Sequence, residues 1–210
     1  MSKIDEIFQA VETGKVKLIN GLVEEALAEG LEPVQILNKG MIDAMAVVGE
    51  KFQKSEIFVP EMLIAAKTMK KGVEILKPKL ANVDIASRGK CIIGTVYGDL
   101  HDIGKNLVSL MIESAGFEVI DLGVDVSIQT FLDAIKANPD ARIVGLSCLL
   151  TTTMPALKET AEAIKASGLG GFKLMVGGAP ITQEFANQIG ADGYSADAAS
   201  AAELAKRLAA

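Results

Sequence analysis

The chain has 210 residues, half of them apolar and only 4% aromatic, so any core it buries is built mostly from aliphatic side chains. A net charge of -6 leaves no basic stripe to neutralise phosphates, which argues against a nucleic-acid partner. Residues 1 to 20 alternate charged and apolar positions without a continuous apolar run, so neither a signal peptide nor a membrane span is expected, and the cytoplasm is the expected location.

From Ile4 to about Leu76 the apolar residues recur at helical spacing. Ile4, Ile7, Phe8 and Val11 begin the series, Val16, Ile19, Val23 and Leu27 continue it, and Ile36, Leu37, Met41, Met45 and Val48 follow. Breaks at Gly14, at Gly30 to Pro33, near Lys54 to Pro60 and at Pro78 divide the stretch into four helices, a small bundle. A polar connector without periodicity is expected from about Leu80 to Arg88.

Beyond it the pattern changes to short β-branched runs: Lys90 to Tyr97, Phe117 to Leu122, Arg142 to Ser147, Phe172 to Val176 and Ala191 to Ser195. Segments of helical length separate them, at Ile103 to Ala115, Ile128 to Ala137, Met154 to Ala166 and Ile181 to Gln188, and Ala198 to Leu208 closes the chain. Strands alternating with helices imply a parallel sheet covered on both faces. The expected architecture is therefore a four-helix bundle over residues 1–87, followed by a doubly wound, flavodoxin-like five-stranded α/β domain over residues 88–210. Cys91 and Cys148 each fall in an apolar run, as reduced core thiols would.

In a doubly wound sheet of order 2-1-3-4-5 the loops after strands one, three and four share one edge, where ligands bind. The first of these loops, Gly98-Asp99-Leu100-His101-Asp102-Ile103-Gly104, holds the chain's single histidine, with a carboxylate two residues before it. A lone histidine is ordinarily a surface or structural residue; as a metal ligand it needs its second ring nitrogen hydrogen-bonded, and Asp99 is the natural partner. Ordinary protein-ligated metal sites take three or four protein ligands, so a metal on His101 would bring its other ligands with a cofactor. The second loop carries Ser147, Thr151, Thr152 and Thr153, more hydroxyls than capping the next helix needs, and the third holds Gly177-Gly178, where backbone could approach a ligand closely.

Together these loops resemble the cobalamin-binding domain of the methionine synthase and corrinoid methyltransferase group. Its Asp-x-His-x-x-Gly is met by Asp99, His101 and Gly104, its Ser-x-Leu by Ser147 and Leu149, and its Gly-Gly by Gly177 and Gly178. The resemblance implies that cobalamin or a related corrinoid binds with its lower base displaced and its nucleotide tail in a slot lined by the second and third loops, with Thr151 and Tyr194 alongside. It makes His101 the lower axial ligand of cobalt, linked through Asp99 to a hydroxyl that spacing assigns to Thr153, with Gly98, Leu100, Asp102 and Ile103 beside the ring. In the helical half, Phe58, Val59, Met62 and Leu63 are expected nearest the methyl-bearing face, where an apolar lid excludes water.

The resemblance spans nearly the whole chain and implies a corrinoid subunit of a multi-component methyltransferase, not catalytic on its own. It would take a methyl group onto cobalt(I) from one partner methyltransferase and give it from methylcobalt(III) to an acceptor such as tetrahydrofolate or coenzyme M on another. A reductive activase is the third implied partner. A phosphoryl-receiver domain shares the fold but wants an aspartate where strand three ends, and this chain has Ser147 there. A cobalamin-dependent sensor and a mutase-type cobalamin module are the alternatives within corrinoid chemistry.

Overall fold

The computed structural model describes residues 2–80 and 88–210; the expected connector lies almost wholly outside them. The chain divides into two compact units, Met1–Ala86 and Ser87–Ala210.

The elements described in the first unit are all helical: α1 (Lys3–Glu12), α2 (Ile19–Ala28), α3 (Pro33–Gln35), a π-helical segment (Ile36–Ile42), α4 (Asp43–Gln53) and α5 (Val59–Leu80). α1 opens with a capping box in which Ser2 and Asp5 satisfy each other's backbone N–H groups. α3, the π segment and α4 run on as one helical stretch, so the four expected helices are present. The wider π turn lets Ile36, Leu37, Gly40 and Met41 all face inward. Gly40 is packed so closely on α1 that a Cβ there would stand 2.9 Å from a methyl of Ile7. The break expected at Pro78 does not occur, because this proline sits at an exposed position in the last turn of α5, where water can satisfy the carbonyl left without a donor.

The second unit alternates β1 (Lys90–Thr95), α6 (Ile103–Ser114), β2 (Glu118–Asp121), α7 (Ile128–Ala137), β3 (Ala141–Ser147), α8 (Met154–Ala166), β4 (Lys173–Gly177), α9 (Gln183–Gln188), β5 (Gly193–Tyr194) and α10 (Ala198–Ala209). The strands form one all-parallel sheet of order β2-β1-β3-β4-β5, the doubly wound arrangement that the sequence pattern predicts. Alternate strand residues serve two cores. Ile92, Val144, Leu146, Leu174 and Val176 pack with Phe131 of α7 and Leu157 and Ile164 of α8. Cys91, Ile93, Ile143 and Met175 are buried on the other face, where α6 and α10 lie. Each large aliphatic side chain so buried is worth about 1.5–3 kcal/mol against exposure. β2 is a short edge strand whose end residues Glu118 and Asp121 stay exposed, which discourages pairing with another chain.

Register carries this framework to the candidate site. Thr95, Ser147 and Gly177 stand level on β1, β3 and β4, and Tyr194 is level with Val176 one step behind. The three singled-out loops therefore leave the sheet side by side.

Candidate functional site

Asp99 is the centre of the arrangement. Although wholly buried, it is an ionisable group with five donors around it. Its Oδ1 accepts from the His101 ring nitrogen Nδ1 at 2.7 Å and from the His101 backbone N–H at 3.1 Å. Its Oδ2 accepts from the Leu149 N–H at 2.7 Å, the Leu150 N–H at 3.4 Å and the Thr153 hydroxyl at 2.7 Å. Burial by itself would push the Asp99 carboxyl up; the hydrogen bonds from Leu149, Thr153 and His101 outweigh it and hold the group well below the usual carboxylate range. Asp99 is thus a carboxylate, which can only accept, so the proton in its contact with the histidine belongs to Nδ1. In the neutral imidazole this leaves the lone pair on Nε2, carried on a side chain that is half exposed.

The His101 loop is held from several sides. The Thr95 hydroxyl, at the end of β1, donates to the His101 carbonyl at 2.9 Å. Gly98 adopts φ of 80°, a left-handed conformation that glycine takes without strain, and this turns the chain directly into Asp99. Thr153 stands at the N-cap position of α8 but makes no capping bond there; its hydroxyl is turned to Asp99 and also lies 2.9 Å from the Leu150 carbonyl. One of the hydroxyls in excess of capping therefore has its reason in Asp99. Ser147 is half-buried where β3 ends, and Thr151 is exposed.

Gly178 owes its identity to the chain itself. A Cβ there would overlap the Cys148 carbonyl oxygen, and its φ is 127°. Gly177 is less confined, since a Cβ would meet only the Ser195 carbonyl, at 3.5 Å. At Gly104 a Cβ would meet nothing within 4 Å. Cys91 and Cys148 are free and buried, as expected.

The surface around His101 is apolar. Among the described residues of this unit, the exposed large hydrophobic side chains are Tyr97, Leu100, Leu149 and Leu150 on the two loops that meet at Asp99 and Ile103 at the first residue of α6. Such side chains gathered at a sheet's carboxyl edge suit the face of a large, largely apolar ligand. In the helical unit Phe58 is exposed, as are Val59 and Leu63, whereas Met62 is fully buried.

The donor set decides what kind of metal complex fits. Among the described residues no group of three or more His, Cys, Asp or Glu side chains is placed to hold a metal ion. One imidazole with a fixed tautomer, inside an apolar rim, fits a metal whose other positions are filled by a macrocycle. Sequence reasoning found Asp99, His101 and Thr153 but passed over the backbone donors of Leu149 and Leu150, which carry no residue-type signal. It also passed over Lys105 and Asp125, although a lysine in the first turn of a helix, against the helix dipole, was a visible anomaly.

The same conclusion comes from comparison with known proteins. Two family profiles, both described as B12 binding domain, match residues 89–203 and 3–77. A corrinoid protein of Desulfitobacterium hafniense is 40% identical over 212 residues, covering 99% of this chain and 98% of that one. The dimethylamine corrinoid protein 1 of Methanosarcina acetivorans is 43% identical over 207 residues, covering 98% and 96%. In the solved structure of the methanol:cobalamin methyltransferase complex MtaBC from Methanosarcina barkeri, one chain superposes with a TM-score of 0.86 at 27% identity, covering 99% of this chain and 79% of that one. A buried carboxylate that frees one imidazole nitrogen, on a fold and sequence shared with these relatives, has one reading: the chain belongs to the B12-binding corrinoid proteins of methyltransferase systems, and its cofactor is cobalamin or a related corrinoid.

Proposed function

We propose that the protein is a cytoplasmic methyl carrier, with His101 as the lower axial ligand of a corrinoid cobalt. The observation that carries this is the free Nε2 of a ring whose other nitrogen is fixed by a buried, ionised Asp99. When bound, the corrinoid supplies a cobalt centre that takes up a methyl group as the donor's leaving group departs and yields it to a nucleophile.

Each part of the chain then has a task. Asp99 keeps the proton on Nδ1 and so keeps Nε2 basic towards the metal. The Leu149 N–H, the Thr153 hydroxyl and His101 itself keep Asp99 ionised in spite of its burial. Gly98, Leu100, Asp102, Ile103 and Gly104 would flank the corrin ring. Ser147, Leu149, Thr151, Gly177, Gly178 and Tyr194 lie along the edge that would take the nucleotide tail. Phe58 and Met62 belong to the helical unit that would shield the opposite face from water.

The carrier needs partners to make and use the methylated cofactor: a substrate-specific methyltransferase, an acceptor methyltransferase that passes the group to a thiol such as coenzyme M or to tetrahydrofolate, and a reductive activase. The relatives named for dimethylamine and for a methanol-dependent complex support small methylated donors.

The test is reconstitution. Apoprotein loaded with cobalamin, reduced and given methyl iodide is expected to develop the visible spectrum of a methylated corrinoid bound to protein. Failure of that spectrum to form overturns the carrier reading. His101→Ala is expected to retain the cofactor through its tail yet shift the spectrum to that of a corrinoid without imidazole; an unchanged spectrum removes His101 from cobalt.

A further inference from the structure

The loop that carries His101 is held at both ends by one neighbouring stretch, the last residue of β2 and the turn that follows it. At its front end the Gly98 N–H donates to Asp125 Oδ1 at 2.7 Å, and the Asp125 N–H donates back to the Asp99 carbonyl at 3.0 Å. At its far end the Lys105 ammonium donates to Asp121 Oδ1 and Oδ2, at 2.7 and 2.6 Å, and to Asn106 Oδ1 at 2.7 Å. Asp121 also accepts the Gly123 N–H at 2.8 Å, so its own orientation is fixed.

Neither contact is what the fold alone would ask for. Asp125 is held at φ of 53°, in the left-handed region, where a side chain costs conformational energy that glycine avoids. The Lys105 side chain is only 1% exposed and lies in the first turn of α6, where the helix dipole disfavours a cation. Burying an ammonium there is tolerable only because the Asp121 carboxylate meets it. Both unfavourable placements are balanced by bonds between the stretch Asp121 to Asp125 and the stretch Gly98 to Lys105 that contains His101. Fixing the Asp99 carbonyl and the N–H of Gly98 fixes the backbone from which the Asp99 carboxylate is aimed at Nδ1.

We infer that Asp125, with Asp121 acting through Lys105, is a positioning residue for His101. It sets the aim of Asp99 without touching the imidazole. The inference rests on the axial role proposed above for His101, and its test separates the two.

Asp125→Gly removes the carboxylate yet leaves a residue at ease at the observed φ, so loss of fold is not expected; Asp125→Asn keeps an acceptor oxygen and also tolerates that φ. Because His101 is the only histidine, long-range proton–nitrogen NMR of labelled apoprotein at alkaline pH reads its tautomer without ambiguity. The wild type and Asp125→Asn are expected in the Nδ1–H form, with Asp125→Gly moving towards the Nε2–H form that free imidazole of histidine prefers. A wild-type pattern in Asp125→Gly overturns the inference, as does a wild type already in the Nε2–H form. In a second arm, electron paramagnetic resonance of the isotope-labelled proteins loaded with unlabelled cob(II)alamin detects the imidazole nitrogen by a splitting distinct from that of the cofactor's own base. The axial ligation constant of Asp125→Gly is expected to fall about tenfold, in the range for groups that orient a metal-bound histidine, with recovery in Asp125→Asn. An undiminished constant in Asp125→Gly counts against the inference. If the wild type shows no splitting from the imidazole nitrogen, the axial role fails, while the tautomer still decides whether Asp125 positions the ring.

Discussion

Asp99 shows how one residue's burial can be made productive. A carboxylate with no exposure survives ionised only because each oxygen is fully engaged, and that engagement dictates the histidine's tautomer. Asp99→Asn cannot reproduce this, because an amide has one acceptor oxygen and one donor end. Whichever way it turns, its NH2 confronts either the Nδ1–H of His101 or the N–H of Leu149. The expected outcome is a loss of about 1–3 kcal/mol in apoprotein stability, read by urea unfolding, and about tenfold weaker axial ligation, read from the visible spectrum. The thiols provide a second check. Burial pushes Cys91 up to about 12 and Cys148 up to about 11, the latter with the nearby Thr153 side chain opposing the rise and the Asp99 charge adding to it. An unfolded cysteine loses its proton near pH 8.5, so the unfolded chain releases protons first as pH rises. Stability from these thiols is complete below about pH 8.5 and declines above it, towards the folded-state values. Iodoacetamide at pH 8 should therefore alkylate the unfolded chain quickly and the native protein slowly, as mass spectrometry would show.

At the scale of elements, two glycines of the same edge are there for opposite reasons. Gly178 is demanded by the loop after β3, since any side chain would strike the Cys148 carbonyl. Gly178→Ala is expected to destabilise the apoprotein by about 3 kcal/mol, through overpacking and a left-handed φ. Gly104, in the first turn of α6, faces open space within the chain. Gly104→Ala should leave apoprotein stability within about 1 kcal/mol, with helix propensity favouring alanine. If the corrinoid occupies that space, the same variant loses cofactor on gel filtration. Equal stability and equal retention would take Gly104 out of the binding edge.

At the scale of the whole molecule, the helical unit and the α/β unit each have a core of their own, and each bears a set of exposed apolar side chains. Phe58 is 65% exposed, so Phe58→Ala should alter stability by no more than about 0.5 kcal/mol. It is nevertheless expected to speed air oxidation of the reduced, loaded protein, and an unaltered rate would remove Phe58 from the shielding of the cofactor. No helix among the described residues is long and apolar enough to cross a membrane. Sequence by itself determined the helical bundle and the alternation of strands and helices, and it singled out Asp99 and His101 by their motif and Thr153 by the spacing of the family it resembles. These are periodicities and short-range motifs, which the chain writes in residue type. Only the tertiary structure decided that the Leu149 amide helps keep Asp99 ionised, that Gly178 answers to Cys148, that α5 runs through Pro78, and that Asp125 and Asp121 bond to Gly98 and Lys105 on either side of His101. Those contacts join backbone groups, or residues distant in sequence, whose meeting depends on packed geometry and leaves no local pattern to read.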